Sequence, residues 1–235
     1  MRQEAQVAPY STRGVHGQTV ETIARRIVGG SVPPGTIIDT AALQQELDVS
    51  LTVLREAMRV LSAKGLVDAR PKRGTFVRPR SDWNLLDGDV LHWQAPVVSD
   101  QFLAELGEVR AALEPSCAQL AASRRTDEDL AALDAALEAM TAAGQDPDLA
   151  VAADLSYHRA LFVASHNDLM LRLEMVLQAG LARRDQMVHS GPAADPVPVH
   201  RAVVEAIRDA DPDRAQTAMR HLLDVAAQDA AAARS

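Results

Sequence analysis

A single cysteine, Cys117, among 235 residues excludes an intramolecular disulfide framework and fits a reducing compartment. No apolar run is long enough to cross a bilayer, and the first residues lack a secretion-signal pattern; the expectation is a cytoplasmic protein without a membrane partner. Strand patterns are missing from everything after Ser99. What remains is a chain with 47% hydrophobic residues, enough for a sizeable core and two domains.

Charge divides the chain where the patterning does. Residues 1–80 hold 12 Lys and Arg against 7 Asp and Glu, while residues 81–235 hold 12 against 25, so a net +5 is followed by −13. An acidic total would argue against nucleic acid, but the local field at a binding face is what counts. We divide the chain into a disordered tail, 1–12, a basic domain, 13–80, an apolar linker, 81–98, and an acidic helical domain, 99–235.

The basic part carries a specific arrangement. Val20, Ile23, Ala24 and Ile27 give a first helix and Thr40 opens a second, ending near Leu47. Asp48 and Val49 turn into a third helix, about Leu51 to Lys64, capped by Ser50 and stopped by Gly65. On it Leu54, Ala57, Met58 and Leu61 form an apolar stripe, with Arg55 and Arg59 on another face. Two short strands follow, Leu66 to Arg70 and Thr75 to Val77, joined through a basic tip of Lys72, Arg73 and Gly74. The combination suits a helix in a DNA groove with a wing beside it. Ser50, Leu51, Thr52, Arg55, Arg59, Lys72, Arg73 and Gly74 are the candidate DNA-binding residues.

These residues resemble the GntR family of bacterial transcription regulators, through PPG at 33–35, LDVSLTVLREAMRVL in the helix-turn-helix, GLV at 65–67 and RGTFV at 73–77. Two positions depart from the family pattern. Leu51 stands where an arginine usually contacts DNA, and Val53 where a proline or small polar residue is common. Leu51 offers a thymine methyl an apolar contact but cannot make an arginine's bidentate bond to guanine.

The linker's Trp83, Leu85, Leu86, Val90 and Trp93 are too apolar for a free tether and are expected to pack on a domain. Beyond it, breaks near Thr126, 144–147, 166–168, 191–198 and 211–212 predict about six helices in an antiparallel bundle. Several carry polar groups on their apolar stripe. Arg110 falls between Leu106 and Leu113, with Glu114 one turn on as an internal partner and an anionic ligand as the alternative. Asp154 and His158 form an i, i+4 pair of the kind that presents two metal ligands, though most such pairs are simple hydrogen bonds. His200 and His221 fall on the inward faces of two later helices, and Arg184 on the stripe of Leu177, Leu181 and Val188. His16, His92, His166 and His189 read as ordinary surface or cap residues, and Cys117 as a core thiol.

This half resembles the FCD ligand-binding domain of the FadR subfamily, through EVRAALEP at 108–115, DLSYHRALFVASHN at 154–167, HRAVVEAIRDAD from 200 and AMRHL at 218–222. The resemblance implies a divalent metal, Zn²⁺ or Ni²⁺ for such donors, at Asp154, His158, His200 and His221, with Arg110 on the effector; Arg184, from its stripe, is a further candidate effector contact. WNLLDGDVLHW is further similar to galactonate-type regulators of sugar-acid catabolism. With a mainly α fold, an N-terminal winged helix-turn-helix plus a helical bundle, the resemblance leads to the expectation of a homodimeric repressor on palindromic operator DNA, responsive to a small carboxylate or sugar acid. A metal-dependent hydrolase and a direct metal-ion sensor are the alternatives. The first lacks a placed general base and gives no reason for the wing.

Overall fold

The computed structural model describes residues 14–94, 100–144, 146–174, 177–178 and 195–232. The tail read over 1–12 and the candidate effector residue Arg184 lie outside them. The chain divides into two compact units, Met1–Val97 and Val98–Ser235.

The N-terminal unit begins with α1 (Val15–Val28), α2 (Thr40–Glu46) and α3 (Leu51–Ala63). Asp39 caps α2, accepting from two backbone N–H groups. Ser50 Oγ accepts from Val53 N at 3.3 Å and fixes where α3 starts. Asp48, between the two helices, takes a left-handed φ of 50°, which makes the turn tight. The stripe of α3, Leu54, Ala57 and Leu61, packs on Val20, Ile23 and Ile27 of α1 in one core. β1 (Val67–Arg70) and β2 (Gly74–Val77) pair antiparallel with Val67 opposite Val77. The segment after the double proline also joins β2: Ile37 bridges Phe76, and Ile38 N donates to Thr75 O at 2.8 Å. Two strands were expected; this third pairing was not, because two residues carry no period-2 pattern.

The apolar segment after the wing belongs to this core. Trp83, Val90 and Trp93 are buried with the stripe of α1 and α3, the last two from α4 (Gly88–Gln94). Trp83 Nε1 donates to Arg78 O at 3.0 Å, and Lys64 pairs with Asp87 at 2.8 Å and with Asp89. Gly65 is required there: its φ is 78°, and a Cβ would stand 2.3 Å from Asp82 O.

The C-terminal unit is helical throughout its described residues: α5 (Asp100–Arg124), α6 (Asp127–Ala143), α7 (Pro147–Ala164), helical residues 168–174, α8 (Val197–Arg208) and α9 (Pro212–Ala232). α6 packs on α7, and α9 on α5 and α8. Small residues such as Ala118, Ala121, Ala122 and Ala206 fill much of the core, which lets the helix axes approach closely. Cys117 is fully buried against Met170, and burial pushes its thiol up to about 12, so it is an inert core residue.

Candidate functional site

Two sets of residues stand out, one in each unit. In the N-terminal unit Leu51, Thr52, Arg55 and Arg59 are exposed along α3, and Lys72, Arg73 and Gly74 at the tip of the wing. Arg59 is partly engaged by Glu56 at 2.8 Å. Arg73 lies over the ring of Phe76 at 4.0 Å, which stiffens the tip. Lys72 adopts a positive φ of 66° beside Gly74 at 80°, so the wing turns sharply and leaves two cations at its apex.

In the C-terminal unit a cavity of about 890 Å³ opens between the end of α6, the first turns of α7, α8 and the far half of α9. Asp154, His158, His200 and Arg110 line it, each more than nine-tenths buried. Asp154 and His158 share a face of α7 one turn apart, and α8 brings His200 against them. His200 Nδ1 lies 2.8 Å from Pro196 O, which can only accept, so Nδ1 carries the hydrogen. In the neutral ring Nε2 then turns a lone pair toward Asp154 Oδ1 at 3.1 Å. Two acceptors in such contact repel unless a cation or proton lies between them.

His158 stands among three charged groups. Its Nδ1 is 3.1 Å from Glu114 Oε2, and its Nε2 is 3.1 Å from Arg110 Nη2 and 3.4 Å from Asp154 Oδ2. Asp154 Oδ2 and His158 Nδ1 have no aligned hydrogen bond among the described residues. Tyr157 braces both rings edge-on and donates through its hydroxyl to His200 O at 3.2 Å. One carboxylate and two imidazoles therefore converge, with ligand atoms within 4.8 Å of one another. Pro196 O holds the His200 ring from behind, and Glu114 Oε2 lies near His158 Nδ1 without an aligned bond. The donor set could hold a divalent metal ion.

Without a bound cation, opposite charges among these side chains stabilise one another. Burial works against the charge of Glu114, yet Arg110 and His158 bring its carboxyl down to about 2. Burial likewise opposes charge on His158, but Glu114 and Asp154 outweigh it and raise the imidazole to about 9. Asp154 is held well below the usual carboxylate range by His158 and His200, against its own desolvation.

The sequence placed Arg110, Asp154, His158 and His200 correctly on inward faces, and of the two partners open to Arg110 the structure shows Glu114. Arg110 Nε donates to its Oε1 at 2.6 Å. His221 requires a correction: it is exposed and outside the cluster. The inward stripe of α9 runs through Ala215, Met219 and Leu222, continuing along the cavity with Val225, Ala226 and Asp229. His221 precedes Leu222 by one position, about 100° around the helix, so the leucine faces inward and the histidine solvent. The sequence read Glu114 only as a partner of Arg110; its second contact, with His158 Nδ1, and the bracing by Tyr157 went unread.

Comparison with known proteins accounts for both units. Residues 16–77 match the model of bacterial regulatory proteins of the gntR family, and residues 105–225 match the FCD domain. The galactonate operon transcriptional repressor of Escherichia coli K12 is 36% identical, over 85% of this chain and 89% of its own. An HTH-type transcriptional regulator of Mycobacterium tuberculosis is 34% identical, over 97% and 94%. Among solved structures, a Streptococcus agalactiae GntR protein superposes with TM-score 0.51 at 25% identity, covering 89% of this chain and 97% of that one. The chain belongs to the GntR family of bacterial transcription regulators, with a winged helix-turn-helix at its N-terminus and an FCD domain after it.

Proposed function

We propose that this protein is a metabolite-responsive repressor whose effector is a sugar acid or a related 2-hydroxy acid, bound in the FCD cavity at a divalent metal. The observation that carries the reading is the convergence of Asp154, His158 Nε2 and His200 Nε2 at the inner end of a cavity of about 890 Å³. Galactonate, named for the E. coli relative's operon, is such an acid. Asp154, His158 and His200 would hold the metal, which would supply positive charge for the effector's carboxylate and neighbouring hydroxyl. Arg110, whose Nη2 rests on His158 Nε2, is placed to move onto the bound carboxylate.

Two copies bind a palindromic operator in the cytoplasm through α3 and the wing, with Arg55, Arg59, Lys72 and Arg73 on phosphates or base edges and Leu51 on a thymine methyl. The effector acts only insofar as its affinity differs between the DNA-competent and DNA-incompetent arrangements. The hydrolase alternative has no support among the relatives, which are transcription regulators.

The test starts from metal-reloaded protein and an operator selected from random duplexes. Elemental analysis is expected to find about one Zn²⁺ or Ni²⁺ per chain, and a thermal-shift screen of sugar acids to yield a hit that lowers operator affinity in a gel shift. Absence of bound metal after reloading refutes the site. A change in operator affinity on metal addition alone makes the protein a metal sensor.

A further inference from the structure

We infer that the mouth of the FCD cavity selects an acid with one carboxylate and a neutral hydroxylated tail, and turns away the diacid of the same skeleton; this rests on the function proposed above. Charge along the cavity carries the inference. At the inner end Arg110 is balanced by Glu114, and Asp154 balances one of the two charges of a divalent ion. One positive charge is left, enough for a single carboxylate, and Asp154 Oδ2 is buried there with no aligned partner.

The rim has the opposite sign. Among the described lining residues it holds Asp146, Asp195, Glu205 and Asp229 against one cation, Arg201, with Arg214 beyond the lining at 3.8 Å from Glu205, so the four acids still exceed the two cations. From Asp154 back to Asp146 along α7 is about 12 Å of helix rise, so an acid of five or six carbons anchored inside carries its tail toward these groups. Asp146 Oδ1 accepts from two backbone N–H groups at the start of α7, and Asp195 Oδ1 from one, Val197 N, at the start of α8. Carboxylate oxygens accept hydrogen bonds from hydroxyls, whereas a second carboxylate meets them as a like charge.

The experiment is calorimetric titration of metal-reloaded full-length protein with D-galactonate and with galactarate, which differ only in the group at the far end. Galactarate is expected to bind roughly tenfold or more weakly. The gap narrows at high ionic strength, because the rim is solvent-exposed, and in the Glu205→Gln, Asp229→Asn double variant, which spares both helix caps. Equal or tighter binding of galactarate overturns the inference, as does a ratio unmoved by the double variant. If metal binds and neither acid does, the sugar-acid effector falls and the inference with it; if no metal binds, the site itself is refuted.

Discussion

Arg110 and Glu114 are both buried, and each is the other's main counter-charge. Arg110→Ala leaves a buried carboxylate beside His158 alone and is expected to cost about 3 to 5 kcal/mol in urea unfolding, whereas Arg110→Met with Glu114→Gln recovers much of that loss. A single variant within about 1 kcal/mol of wild type contradicts this account. The pair also changes how an effector experiment is designed, since Arg110→Ala alone confounds lost ligand contact with lost stability. The two later histidines separate cleanly. His200→Ala should release the metal and lower thermal stability, while His221→Ala, on the solvent side of α9, should leave elemental content unchanged; loss of metal from both contradicts the three-residue site.

At the scale of elements, the junction of α5 and α6 is set by a capping box: Thr126 Oγ1 accepts from Asp129 N, and Asp129 Oδ2 accepts from Thr126 N and faces His166 Nε2 at 2.8 Å. Burial opposes ionisation of Asp129, but these bonds prevail and hold its carboxyl below the ordinary 3.8. A lowered folded value means the carboxylate stabilises the fold at pH values above the unfolded one, and that this contribution vanishes as pH falls through the folded value. Asp129→Asn should therefore be less stable than wild type at neutral pH, with the two melting curves converging in acid; a constant gap across pH rules out the charge as its cause. On α3, replacing Arg55 and Arg59 together by alanine should weaken operator binding without lowering the melting temperature, read by gel shift and circular dichroism. Gly65→Ala should do the reverse, costing about 2 kcal/mol or more because the backbone angle and Asp82 O both exclude a Cβ. Much of this level was legible in sequence. The stripe on α3, the cap Ser50 and the break at Thr126 show the local periodicities and side-chain acceptors that set helix bounds. Ile37 on β2 was not legible, since a short bridge depends on a distant strand. His221 failed for another reason: Ala218, Leu222 and Val225 describe a stripe whose edge, rather than centre, passes beside it, and only packing against α5 and α8 fixes the rotation of α9.

For the whole molecule, the excess of cations in residues 1–80 over an acidic remainder implies that the salt dependence of operator binding reports the N-terminal unit alone. Neutralising the acids around the FCD cavity should leave that slope unchanged. The other consequence at this scale concerns where the chain can be cut. Its composition changes after the wing, at residue 80, and a fragment or fusion would ordinarily be joined there. Yet Trp83, Val90 and Trp93 fill the same interior as α1 and α3, and Lys64 at the end of α3 is held by Asp87 and Asp89. The transferable module is thus residues 14–97, and its seam follows α4. A 14–97 fragment should melt cooperatively and graft onto foreign sensor domains, whereas 14–80 should expose apolar surface and aggregate; equal melting temperatures for the two fragments would show the tryptophan helix to be dispensable ballast, and recombination between regulators could then occur at the wing itself.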